Sequence, residues 1–383
     1  MGRQEMADFA SRQQDMLALL FQLVRLESPS RDKESLDKLG KLLADLLRAL
    51  GGSVDIHANA RGGDHVLGRF PGTTELRPAL VLGHFDTVWP RGTLERMPFR
   101  VDKAGRAFGP GIFDMKASLV VFLEVMKHLK KNELALPRPI WVLFTSDEEI
   151  GSPNSRGLIE DLARQAAYVL VLEPALADGG LKTSRKGVGR FRLEVEGKAA
   201  HAGVAPENGR SAIVELAHQI VRLEDLQDVA AGTTINVGLI QGGTTTNVVP
   251  AQAWAEIDVR VASTVEQTRT VASLQSLSPV TRNVRLTVSG GFNRPPMERT
   301  RAIASLFEQA QRIGRTIGLE LTEGSSGGGS DGNFTAALGL PTLDGLGAKG
   351  GGAHADDEHI VVESLPERAT LLLALLQGLQ VEE

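Results

Sequence analysis

The sequence contains no cysteine. That absence excludes disulfides, thiolate zinc centres and cysteine nucleophiles, so any metal must bind through His, Asp and Glu. Nor does one sign of charge dominate: 42 Lys and Arg against 47 Asp and Glu give a formal net charge of −5. Such a balance makes no case for nucleic acid or an anionic membrane as partner. No uninterrupted apolar run is long enough to span a bilayer. The N-terminal stretch has no basic segment followed by a purely apolar one, since Asp8, Gln13, Gln14 and Asp15 interrupt it. Its apolar residues recur at helical spacing, which reads as an amphipathic helix and not a secretory signal. A soluble cytoplasmic protein is the expectation.

What is present is a chain of 383 residues, enough for one large or two medium domains. Helical periodicity runs over residues 5–27 and 35–50, the second stretch closing at Gly51-Gly52. Strand-like runs follow at 78–83, 139–145 and 168–172, with a helical stretch at 117–131. Strands apolar on both faces and alternating with helices predict an α/β fold, a mainly parallel sheet flanked by helices. From about Ser184 the pattern becomes half-exposed alternation, with strands near 189–196, 233–240, 251–262 and 283–289 and helices near 209–224 and 264–277. That order, β-α-β-β-α-β, is ferredoxin-like. The expectation is a discontinuous main domain, residues 1–184 and 298–383, with an α+β domain inserted at 185–297.

Candidate chemistry lies at strand ends and glycine loops. PALVLGHFDT ends an apolar strand in His84, with Asp86 two residues on; GPGIFDMK carries Asp114, LFTSDEEIGS carries Glu148 and Glu149, VLVLEP carries Glu173, and GGGAHADDEH carries His354. Zinc takes imidazole nitrogen and carboxylate oxygen, and a catalytic site keeps a position open for water. Asp86 is placed to accept a ring N–H of His84 and fix its tautomer. Of two adjacent glutamates, one can ligate while the other activates water. Each segment alone has a plainer reading: His84 a satisfied loop histidine, Asp114 a helix N-cap, Asp147-Glu148-Glu149 an exposed acidic loop, Glu173 a solvated strand end. Asp356, Asp357, Glu358 and His359 read as a solvated or capping cluster. His57, His65, His128 and His218 read as structural. His201, in GKAAHAGVAPENG, is either a turn residue or a donor to a developing oxyanion.

With the motifs in this order, the chain resembles the dinuclear zinc exopeptidase and deacylase family that includes glutamate carboxypeptidase, acetylornithine deacetylase, succinyl-diaminopimelate desuccinylase and aminoacylase. The resemblance runs from about residue 15 to 380 and is strongest to the glutamate carboxypeptidases, through GPGIFDMK, TSDEEIGS, YVLVLEP, GKAAHAGVAPENG and GGGSDGN. It implies two zinc ions, with cobalt or manganese also suited to such ligands. One would be held by His84, Asp114 and Glu173, the other by Asp114, Glu149 and His354. Glu148 would be the general base, Asp86 the residue orienting His84, and His201 a donor reaching a partner's active site. Asn247, Arg260, Arg294 and Gly329 match substrate-binding positions, Arg294 that of the arginine receiving a free carboxylate. The insert would act as lid and dimerisation domain of a homodimer. Met115 stands where glutamate carboxypeptidases carry a second acidic residue. The implied substrate is a small peptide or an N-acyl amino acid, hydrolysed as a carboxypeptidase or, alternatively, a deacylase. A non-catalytic metal-binding protein would have no use for Glu148.

Overall fold

In the computed structural model, which describes residues 2–381, the main sheet forms because its inner strands are apolar on both faces and have helices to cover them. Every residue of Ala79–His84 is buried, as is every residue of Tyr168–Val171. Across this six-stranded sheet the order is Ser53–His57, His65–Phe70, Ile140–Thr145, Ala79–His84, Tyr168–Val171 and Thr342–Leu343. The last four run parallel, while His65–Phe70 pairs antiparallel with Ile140–Thr145. His84 lies opposite Thr145 in the register, so the residues after both strands emerge at one edge.

Helix Lys33–Ala49 buries Leu36, Leu39, Leu43 and Leu47 along one stripe, and Asp32 caps it by accepting from the Ser35 N–H at 3.2 Å. Helix Ala117–Lys131 is buried along nearly its whole length. The helix expected over 5–27 is instead two, Gly2–Ser11 and Gln13–Arg25. They part at Arg12, whose guanidinium turns inward to Glu124 (2.6 Å) and Asp8 (2.9 Å).

The chain divides into two compact units, one of residues 1–184, 299–325 and 330–383, the other of residues 185–298 and 326–329. In the second, four antiparallel strands lie in the order Thr234–Gly242, Gln252–Val261, Gly187–Glu196 and Arg285–Arg294. With helices Ala212–Glu224 and Thr264–Gln275 between them in sequence, this is the ferredoxin-like arrangement. Alternation puts Phe191, Leu193 and Val195 into a core with Leu216, Leu223 and Leu274 of the helices. The opposite face carries charged side chains, among them Arg192, Glu194 and Glu256. Where the chain enters and leaves this unit, Arg185 and Met297 exchange both backbone hydrogen bonds, at 2.9 and 3.0 Å. Among the described residues no helix is long and apolar enough to cross a membrane.

Candidate active site

His84 ends a central strand and is 1% exposed. Its Nδ1 lies 3.1 Å from the backbone carbonyl of Asp86. A carbonyl oxygen only accepts, so Nδ1 carries the proton and Nε2 is the nitrogen left for a metal. Nε2 faces Asp114 Oδ1 at 3.1 Å and Glu173 Oε1 at 3.4 Å. The Asp86 carboxylate is a further 3.5 Å neighbour of Nδ1. Its closer partners are the Glu148 and Glu149 N–H groups, which donate to it at 3.1 and 3.2 Å. Asp86 thus serves the two sides of the site with different atoms: its carbonyl aims the imidazole and its carboxylate fixes the turn Glu148–Ile150.

Asp114 arrives on a sharp turn. Gly111 adopts φ 67° there, and a Cβ on it would sit 2.3 Å from Thr87 Cγ2, so both conformation and space require glycine. The N-cap reading of Asp114 does not apply. Its own backbone is non-helical, at φ −114° and ψ 89°, and helix Ala117–Lys131 has no side-chain cap. Its two oxygens instead face opposite imidazoles, Oδ1 toward His84 and Oδ2 toward His354 Nε2 at 3.5 Å. His354 stands in a left-handed conformation, φ 61°, and also contacts Glu149 Oε2 at 3.2 Å.

The three adjacent carboxylates of the 147–149 segment separate in direction. Asp147 is buried and turns away, accepting from Asn154 N (2.8 Å), Ser155 N (3.2 Å) and Ser155 Oγ (2.5 Å). Glu148 and Glu149 turn toward the histidines. Ligand atoms of His84, Glu148 and Glu173 lie within 4.8 Å of one another, and so do those of His84, Asp114 and Glu149. Met115, between Asp114 and the helix, is buried and its sulfur accepts from the His84 N–H at 3.4 Å.

Electrostatics follow from this crowding. Burial disfavours the charged imidazole of His84, but Asp114, Asp86 and Glu173 outweigh it and hold its pKa well above the ordinary value. For His354, hydrogen bonds to Asp114 and Glu149 raise it to about 10. Burial pushes the Glu149 carboxyl up to about 7 against the opposing hydrogen bond from His354. Asp114 is held well below the usual carboxylate range because the two imidazoles outweigh its burial. Metal-free, the cluster therefore keeps its charge balance by holding protons where a cation would serve.

The donor set fits a divalent metal on its own terms. Asp114, Glu148, Glu149 and Glu173 converge on two imidazoles, a nitrogen-and-oxygen set of the kind zinc takes. Glu149 Oε1 is buried without a hydrogen-bond partner, and a buried carboxylate oxygen with no donor is one a cation would satisfy.

The solvated or capping reading of the 356–359 segment divides by residue. Asp356 and Asp357 are exposed, and Asp356 pairs with Arg96. Glu358, however, is 1% exposed and accepts from four N–H groups: Trp89 Nε1 (2.7 Å), Gly111 (2.9 Å), Phe113 (2.9 Å) and Asp114 (3.0 Å). The signal was available, because Glu358, Ile360 and Val362 are alternate residues of one buried face.

His201, Asn247, Arg260, Arg294 and Gly329 belong to the second unit. His201 is exposed, and its Nδ1 accepts from the Gly203 and Val204 N–H groups at 3.1 and 3.2 Å. Backbone N–H groups only donate, so in the neutral ring the proton is on Nε2, which is then a donor. Asn247 is exposed, and its backbone carbonyl accepts from Ala202 N at 2.9 Å. Arg260 pairs with Asp258 at 2.7 Å. Arg294 is 4% exposed, and a Cβ on Gly329 would come 2.6 Å from its Cδ.

A cluster of imidazoles and carboxylates beyond the carboxyl ends of parallel strands could hold a metal ion where such folds carry their sites. Comparison with known proteins agrees: the description "Peptidase family M20/M25/M40" matches residues 80–378, and the chain belongs to that family. It is 32% identical over 376 residues to carboxypeptidase G2 of Pseudomonas sp. strain RS-16, covering 95% of this chain and 89% of that protein. It is 28% identical over 394 residues to a succinyl-diaminopimelate desuccinylase of Delftia acidovorans, covering 96% and 98% respectively. The crystal structure of aminopeptidase PepT from Bacillus cereus superposes with a TM-score of 0.80 at 25% identity, over 95% of this chain and 98% of that one. The protein is a metal-dependent peptidase or amide hydrolase.

Proposed function

We propose that the protein is a carboxypeptidase that hydrolyses the amide bond to a C-terminal amino acid with a free carboxylate, using two zinc ions. The observation carrying this reading is the position of Asp114, whose two oxygens face His84 and His354 separately. A carboxylate so placed suits two cations, one beside His84 and Glu173 and one beside His354 and Glu149. Zinc held by these residues would supply Lewis-acid activation of water and of the scissile carbonyl. Glu148 takes the proton of the attacking water and delivers it to the leaving amine. His201 of one subunit stabilises the oxyanion in its partner's site with its Nε2–H, and Arg294 pairs with the substrate's carboxylate. Asn247 and Arg260 contact the substrate, and Gly329 lies in the loop beside Arg294.

A second reading, N-acyl amino acid deacylase, is favoured by the full-length similarity to a desuccinylase. A screen of peptides and folates ending in glutamate against N-acetyl and N-succinyl amino acids separates the two. Glu148→Gln tests the mechanism: it keeps its zinc and loses hydrolysis, and a variant working at the wild-type rate would remove Glu148 as the base.

We also infer a homodimer through the second unit. Its edge strand Thr234–Gly242 exposes Leu239 and Ile240, and helix Ala212–Glu224 exposes Ile213, Val214 and Val221. An unpaired sheet edge with apolar side chains is an invitation to pairing. Sedimentation of the protein at twice the monomer mass is the expected outcome.

A further inference from the structure

We propose that Glu358 is a positioning residue that holds the Asp114 carboxylate between His84 and His354; the proposal rests on the ligand roles given above. Three of the four donors to Glu358 are consecutive features of one turn, the N–H groups of Gly111, Phe113 and Asp114, at 2.9, 2.9 and 3.0 Å. Oε2 takes Gly111 together with the Trp89 indole at 2.7 Å, and Oε1 takes Phe113 together with Asp114. Both oxygens face donors only. Burial raises the pKa of this carboxyl against the four donors that lower it, and the donor geometry suits the ionised form, since a proton on either oxygen would point at an N–H.

The arrangement matters because the backbone bonds of the turn leave Asp114 itself loosely defined. Ile112 N donates to Gly109 O at 3.3 Å and Lys116 N to Gly111 O at 3.0 Å, but Gly111 is in the left-handed region and Asp114 lies outside helical geometry, so these bonds span Asp114 without holding its own N–H. A buried carboxylate accepting four charge-assisted hydrogen bonds supplies that definition. Glu358 also stands four residues after His354 on the same segment. One side chain thus couples the backbone that presents Asp114 to the backbone that presents His354. In other metal sites the partners that orient ligands change affinity by about 10- to 100-fold when lost. Here the orientation acts through the main chain.

Glu358→Gln is the informative substitution because it keeps size while losing acceptors. Its single carbonyl oxygen can serve either Trp89 and Gly111 or Phe113 and Asp114, and in both settings its NH2 group meets two N–H donors. The experiment titrates zinc into metal-free wild-type, Glu358→Gln and Asp114→Asn proteins against a chromophoric chelator. Circular dichroism checks folding at the assay temperature, and the visible spectrum of the cobalt-loaded forms is recorded in parallel. The expected result is a folded Glu358→Gln protein whose zinc affinity is lower by about 10- to 100-fold, with an altered cobalt spectrum. Wild-type affinity and spectrum in folded Glu358→Gln would overturn the proposal, even if its melting temperature fell, since a purely structural role moves only the latter. If Glu358→Gln does not fold, Glu358→Asp is read in the same way, because it keeps the charge but is too short to meet all four donors. Wild-type affinity in Asp114→Asn would instead overturn the ligand reading beneath the proposal, so the two failures are told apart.

Discussion

Replacing Asp86 by Asn separates two jobs that one residue performs with different atoms. Its carboxylate is fully buried and accepts from the Glu148 and Glu149 N–H groups at 3.1 and 3.2 Å. Its carbonyl receives the His84 Nδ1–H at 3.1 Å and is untouched by the substitution. Asn keeps one acceptor oxygen and sets an NH2 group against the other N–H. A hydrogen bond to a charged acceptor contributes about 1.5–3 kcal/mol, and leaving a buried donor unsatisfied costs a comparable amount. At about 1.4 kcal/mol per tenfold, displacement of Glu148 by loss of one such bond lowers kcat by about 10- to 150-fold. Zinc affinity near His84 stays within about threefold of wild type, because the tautomer is held by the carbonyl. The assay is steady-state hydrolysis of the best substrate from the C-terminal and N-acyl amino acid screen, paired with metal analysis. Unchanged kcat would refute the role of the carboxylate in setting the acidic turn. Loss of metal with the turn intact would show that the carboxylate, not the carbonyl, orients His84.

Two other perturbations follow from the same geometry. Gly329→Ala brings a methyl group to 2.6 Å from Arg294 Cδ, so KM for substrates with a free carboxylate should rise by about tenfold or more, the worth of a displaced charge-assisted bond; an unchanged KM would dissociate Arg294 from carboxylate recognition. In the metal-free protein, Glu149 is pushed up to about 7 from 4.5 and His354 up to about 10 from 6.5. Both groups hold their protons more tightly when folded, so their contribution is complete at low pH and is lost as pH rises through those intervals. Above about pH 7 the buried Lys116 ammonium, pushed down to about 7 by burial, opposes the His354 contribution, so the melting temperature of metal-free protein should fall between about pH 5 and about pH 7, Glu149→Gln should flatten that fall, and a level profile there would refute the assignment.

Strand ends were legible because apolar runs stop abruptly at His84, Thr145 and Leu172, and the next charged residues have few places to go. The ferredoxin-like unit was legible because half-exposed alternation is the direct imprint of a sheet with one covered face. Sequence does not encode the direction in which neighbouring carboxylates point. Asp147 and Glu148 are adjacent and equivalent by type, yet one caps the segment that follows and the other joins the histidines. Asp356, Asp357 and Glu358 raise the same ambiguity, and only burial of the third resolves it. The split use of Asp86 was hidden for a further reason, since its carbonyl was as available as its carboxylate. Residues of the second unit, His201 among them, were marked by motif and not by any pattern that locates a side chain.

The paired strands at Arg185 and Met297 give the insert the topology of a cassette. Its two ends are joined by backbone hydrogen bonds, so about 110 residues close a loop no wider than a hairpin, and lengthening such a loop costs little extra chain entropy. A short turn could replace it without asking the rest of the chain to span a gap. Excision would still leave a scar. The Arg185 guanidinium donates to the carbonyls of Gly328 and Gly329 at 3.0 and 3.3 Å, and the Lys186 N–H to that of Ser326 at 2.9 Å. A minimal version of this chain would have to redesign residues 326–329 along with the junction itself.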